Sequence, residues 1–292
     1  MYFKMARTAV TVVAGAAVLC LGAVPAALAA PAHSTEWVRC NAYALHRAIK
    51  DASFGDTLNL ARGCTYHLPD ALPGIMTTLT IVGHNSTLTR TRRAGDFSLL
   101  RVDDWEASDV TVINVNFTDG GGRDVTDGGA IDNEGTLHVR GGGFSDNEAH
   151  KRGGAIYNDG DLTVSNATFA KNQAPYGGAI YNEDHASIYG SVFAWNNAST
   201  PHGHPGNSAG GAIFNEDHVD LAHSIFVVNS TDGHGGAIYT EDVLRARYIT
   251  VIANHADFSG GGIYNDHETA AVSDSLLFGN QPNNCHEVSG CL

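Results

Sequence analysis

The tripeptide Glu-Asp-His occurs twice, at residues 183–185 and 216–218, each time closing a near-identical nonapeptide, GGAIYNEDH and GGAIFNEDH. Three groups of this kind in a row could do chemistry. Crowded carboxylates raise one another's pKa, which turns a carboxyl into a general acid near neutrality. A neighbouring histidine can then serve as base or electrophile. This makes Glu183, Asp184, His185, Glu216, Asp217 and His218 candidate catalytic residues. The same groups could instead hold a cation. Carboxylate oxygens suit Ca²⁺, and an acidic cluster that includes histidine also suits a transition metal. Asp184, Asp217 and Asp242 are the candidate metal ligands.

Both nonapeptides belong to a longer series. GGAI or GGGI begins at Gly128, Gly153, Gly177, Gly210, Gly235 and Gly260. Counted from the first glycine, position 7 is always acidic: Glu134, Asp159, Glu183, Glu216, Glu241 and Asp266. Position 8 changes from Gly135 and Gly160 to Asp184, Asp217 and Asp242, then His267. Asn-Glu-Gly and Asn-Asp-Gly are ordinary tight turns. Replacing that glycine by a second acid removes a residue suited to positive φ and adds like charge. A solvated acidic rim that limits aggregation is the alternative to cation binding and to acid–base chemistry. Position 5 carries a ring in five of the repeats: Tyr157, Tyr181, Phe214, Tyr239 and Tyr264. If the isoleucine before each ring points inward, alternation sends the rings outward. An exposed aromatic stripe would be a substrate-binding platform for sugar rings. The opposite orientation would pack them inside.

The repeat explains how such residues could be positioned. A second marker, Phe-x-x-Asn or a relative, follows each GGAI: FSDN at 144, FAKN at 169, FAWN at 193, FVVN at 226, VIAN at 251 and LFGN at 277. The two markers step together by about 25 residues, with one insertion of about eight at 199–206 that contains His202 and His204. Short period-2 stretches repeated at this spacing cannot bury their apolar faces alone, but stacked coils can. Strand above strand puts identical side chains in ladders about 4.8 Å apart. Asn133, Asn158, Asn182, Asn215 and Asn265 form one expected ladder, with Thr240 as its exception. Phe169 and Phe193 are expected inside. The fold class is therefore all-β, a β-solenoid of about 25 residues per coil. Its start needs a cap. Residues 40–52 place Tyr43, Leu45, Ile49 and Ala52 at roughly helical spacing, and a strand is expected over Asp56–Leu60.

Residues 1–30 read as a signal peptide: Lys4 and Arg7 precede an apolar run that ends in Ala27-Leu28-Ala29. The expected divisions are 1–30 signal peptide, 31–78 cap, 79–284 solenoid and 285–292 closed tail. Loss of Lys4 and Arg7 takes the net charge from −14 to −16. That argues against nucleic acid and anionic membranes as partners. No further long apolar run is present, so no membrane span is expected, and a monomer is expected. Export permits disulfides. Cys40, Cys64, Cys285 and Cys291 allow three pairings, of which Cys40–Cys64 with Cys285–Cys291 would lock each terminus.

The paired GGA[ILV] and FxxN markers resemble the polymorphic outer-membrane-protein repeats. The segment AIKDASFGDTLNLARGCTYHL resembles the start of many secreted actinobacterial right-handed parallel β-helix proteins. The resemblance covers about residues 40–281. It implies a right-handed, single-stranded parallel β-helix. It implies little about function, since the wider β-helix group holds polysaccharide lyases, glycosidases, epimerases and adhesins. No translocator barrel follows residue 292, so secretion to the extracellular space is expected. Two functions stay open: an enzyme of the glycoside hydrolase type acting on a polysaccharide, and a non-catalytic adhesin or solenoid that binds a glycan or cell surface.

Overall fold

The computed structural model describes residues 33–104, 108–200, 207–267 and 269–291. The expected signal peptide, His202, His204 and Glu268 lie outside the described residues. The chain forms a β-solenoid of about 10 turns in which every strand pairing is parallel. One helix, Ala42–Asp51, stands at its start. Asn41 caps it, its Oδ1 accepting from the Ala44 N–H at 3.1 Å. Leu45, Ala48 and Ile49 face the first coils. Tyr43, expected on that apolar face, is instead 74% exposed. Strand Asp56–Leu60 falls as expected, and Thr35–Val38 pairs alongside it. The cap is thus continuous with the stack. Cys40 and Cys64 are joined with a Cα separation of 5.7 Å, and Cys285 and Cys291 with one of 6.3 Å.

Each regular coil has three sides. A three-residue strand such as Ile180–Asn182 leads through a turn into a five-residue strand, His185–Tyr189. A bend then leads into a short limb, Val192–Ala194. The GGAI motif returns the chain to the next level. Its first glycine, Gly177 in this coil, has φ +63°, and a Cβ on Gly178 would stand 2.2 Å from the Gly211 carbonyl oxygen. Only glycine serves at both places. The alanine and isoleucine that follow, Ala179 and Ile180, are fully buried.

Side chains repeat inside in register. Phe117, Phe144, Phe169, Phe193 and Phe226 stack with centroids 4.7–5.0 Å apart, and Phe169 and Phe193 are fully buried. In the last marker, LFGN, Leu277 takes the inner place and Phe278 faces out at 68% exposure. The expected asparagine ladder exists: Nδ2 of Asn133 donates to Oδ1 of Asn158 at 2.6 Å, and so on through Asn182 and Asn215 to Thr240 Oγ1 at 2.9 Å. The asparagines of the FxxN marker make a second ladder. Asn147, Asn172, Asn196, Asn229, Asn254 and Asn280 are linked Nδ2 to Oδ1 at 2.9 Å each. Each of these amides is both donor and acceptor, so a buried stack satisfies itself.

Candidate functional site

The first asparagine ladder positions the Glu-Asp-His ridge. Asn182 Nδ2 also donates to the Asp184 carbonyl at 2.7 Å, and Asn215 Nδ2 to the Asp217 carbonyl at 2.9 Å. The turn is therefore held from inside, and the side chains of positions 7 to 9 are left on its outer edge.

The position-7 acids do not simply stack on one another. The Tyr157 hydroxyl donates to Glu183 Oε2, and the Tyr181 hydroxyl donates to Glu216 Oε1, in both cases across to the next coil. Arg152 reaches Glu183 Oε2 at 2.9 Å and holds Asp127 through two nitrogens at 2.7 and 3.1 Å. Its guanidinium lies 4.4 Å over the Tyr157 ring. Burial and the carboxylate acceptors push the Tyr157 and Tyr181 hydroxyls far above their ordinary pKa, so they remain donors. Glu241 meets a different partner. Its counterpart in the coil before is Phe214, which has no hydroxyl, and burial together with Glu216 pushes the Glu241 carboxyl up.

The rings of position 5 correct one expectation. They do leave the core, as alternation requires, while Ile156, Ile180 and Ile213 fill it. They are nevertheless covered. Tyr157, Tyr181 and Phe214 are 4–7% exposed and pack with Ala209, Tyr176 and Tyr239 in a second apolar cluster. No exposed platform exists at these three rings. Tyr239 and Tyr264 are half-buried, and their rings stack at 5.3 Å.

The outermost groups come together only in part. Among the described residues, Asp184, His185 and Asp217 are the one trio of acid, histidine or cysteine side chains able to share an ion, with ligand atoms within 4.8 Å of one another. Asp242 is not in this group, although the carboxylate series placed it there. The Asp184 carboxylate touches His185 Nδ1 and holds the imidazole above the ordinary histidine range. The side chains of His185 and Asp184 are 59% and 49% exposed. Two carboxylates and one imidazole suit a borderline metal better than Ca²⁺, which takes six to eight oxygens.

A furrow that sequence reasoning missed lies beside this ridge. It has a volume of about 700 Å³ and crosses five coils on the outer face of the five-residue strands. Hydroxyls of Thr163, Ser165, Ser187 and Ser273 line it, with Tyr189, Asp220, Arg245 and Arg247. His218 borders it: its Nε2 lies 3.3 Å from Asp220 and 3.1 Å from Arg245. Tyr189 and Tyr248 are about half exposed, and His223 packs between them at 5.1 and 5.0 Å. The missed signal is a small or polar residue at alternate places in these strands, with two arginines, Arg245 and Arg247, in one coil.

Three stretches of the chain, residues 144–159, 166–183 and 223–241, match the Chlamydia polymorphic membrane protein repeat. No curated protein matches the chain. No helix among the described residues is long and apolar enough to cross a membrane. The protein is thus a β-helix repeat protein, three stretches of which are similar to the polymorphic membrane protein repeat.

Proposed function

We propose that this solenoid acts outside the cell as a binding protein for an extended glycan and does not cleave it. The observation that carries this reading is the furrow. It crosses five coils, and its mainly apolar wall carries the hydroxyls of Thr163, Ser165, Ser187 and Ser273, an exposed tyrosine and two arginines along its length. Those groups match the hydroxyls and apolar faces of sugar rings. The ridge supports the same choice. Glu183 and Glu216 are each engaged by a tyrosine, and Glu183 also by Arg152, so neither is poised as a free acid or nucleophile. The repeat of the polymorphic membrane protein type fits a role at a surface. Binding of the secreted form to a polysaccharide panel tests the proposal. A neutral or acidic polysaccharide should be retained by wild type and lost by Tyr189→Ala and Arg247→Ala. Release of new reducing ends or unsaturated products would overturn it in favour of a polysaccharide-degrading hydrolase or lyase.

A second reading concerns the Asp184–His185–Asp217 trio as a site for a divalent cation. The proximity of its ligand atoms favours it. Thermal melts with Mn²⁺, Zn²⁺ or Ca²⁺ against EDTA test it, since an ion that binds only the folded state raises the melting temperature.

A further inference from the structure

The outer face of the short limb changes character along the solenoid. In the strands Gly143–Ser145 and Thr168–Ala170 it is small and polar, and the bends that follow carry Asp146 and Lys171. The next four rungs are mostly apolar, with Thr250 the polar strand residue on this face. Trp195, Ile225, Val228, Leu276 and Phe278 are 58%, 43%, 43%, 56% and 68% exposed, and Ile252 lies between them. No outward residue or bend residue of these four rungs is charged, in a chain whose net charge is −14. Val228 sharpens the contrast. It has φ +56°, a left-handed conformation that a β-branched residue rarely adopts, where an earlier coil has Lys171 at φ +57°. An apolar side chain is thus kept in solvent at a backbone position that disfavours it.

We propose that this face is a docking surface for a second copy of the same chain, forming a two-fold dimer. Three observations select that occupant. The rungs are evenly spaced at about 4.8 Å, so a copy rotated about an axis that lies in the plane of the contact, along the strands, meets it rung against rung. The strand Val192–Ala194 then opposes Leu276–Phe278, and Ile225–Val227 opposes Thr250–Ile252. Acidic copies repel one another over most of their surface, and this is a place where they meet without opposing carboxylates. Finally, four rungs of about four residues each make a patch roughly 13 by 19 Å, a small contact that suits a weak interface. Sheets packed in this way lie about 10 Å apart.

Sedimentation velocity of the disulfide-bonded secreted form over about 1–200 µM tests the proposal. A concentration-dependent shift from monomer to dimer is expected, with a midpoint in the micromolar range. Val228→Lys and Trp195→Asp should be monomeric throughout with unreduced melting temperatures. The chain itself holds Lys171 and Asp146 at the same repeat position, so both substitutions suit the local backbone. A wild type that stays monomeric at every concentration overturns the proposal. So does a dimer that both variants leave intact, which would place the interface elsewhere. Flotation of monomeric wild type with phosphatidylcholine vesicles would also overturn it, by making the face a lipid contact.

Discussion

The asparagine ladders and the acidic ridge are built on the same repeat, a few residues apart, and solve opposite problems. An amide carries both a donor and an acceptor, so each buried asparagine completes the next and repetition stabilises the stack. A carboxylate has only acceptors, so repetition at the same spacing creates repulsion. The ridge relieves it by importing donors from other rows: the tyrosine hydroxyls of the preceding coil, and Arg152. Inside, a repeated residue is its own partner. Outside, it needs a different one.

The largest expected effect tests the interior half of this contrast. Phe169→Ala should cost roughly 3–5 kcal/mol in denaturant unfolding, because neighbours above and below hold the cavity open. A cost below about 1 kcal/mol would mean that the aromatic stack collapses readily.

Next comes Asp132, the position-5 residue where later coils carry a ring. Burial first, then Glu134, pushes its carboxyl up to about 6. The folded state therefore keeps the proton to higher pH than the unfolded chain, and stability falls as pH rises from about 4 through 6. Asp132→Asn should remove that penalty, gaining up to about 3 kcal/mol at pH 7.5 and almost nothing at pH 4. Melts at the two pH values check this; an equal gain at both would point to packing rather than charge.

Smaller still is the effect of supplying the missing donor. Phe214→Tyr should place a hydroxyl against Glu241 as Tyr181 does for Glu216, stabilising by about 1–2 kcal/mol. The gain should appear where Glu241 is ionised and fade as the pH falls through its raised pKa. The reverse change, Tyr181→Phe, should cost about the same amount at neutral pH.

The smallest expected shift is that of the metal trio. Asp217→Asn should abolish any rise in melting temperature produced by a divalent ion while leaving the melt in EDTA nearly unchanged. A response that survives the substitution would move the ion elsewhere.

The contrast also accounts for what could be read in advance. Interior ladders were legible because a residue and its partner are the same residue one period on, as with Phe169 and Phe193. The two terminal disulfides followed the same economy. The ridge was half legible. Its acids recur visibly, but their partners Tyr157 and Arg152 lie 26 and 31 residues before Glu183, in another row of the repeat. Alternation correctly sent the rings of Tyr157 and Tyr181 away from the isoleucines. It could not show that Tyr176 and Ala209 would close over them. The furrow escaped because hydroxyls such as Thr163 and Ser187 read as an ordinary solvated strand face until the coils are stacked.

The parallel stack has one mechanical consequence. Every interior coil is gripped by a neighbour on each side, so the structure behaves as a zipper that can fray only at its two ends. Cys40–Cys64 ties the helix to the coil above it, and Cys285–Cys291 closes the last rung. In an oxidising milieu the zipper is stapled at both tabs. Under reducing conditions it should peel one rung at a time from the end that has no helix, and proteases should shorten it from that side while the middle coils stay folded.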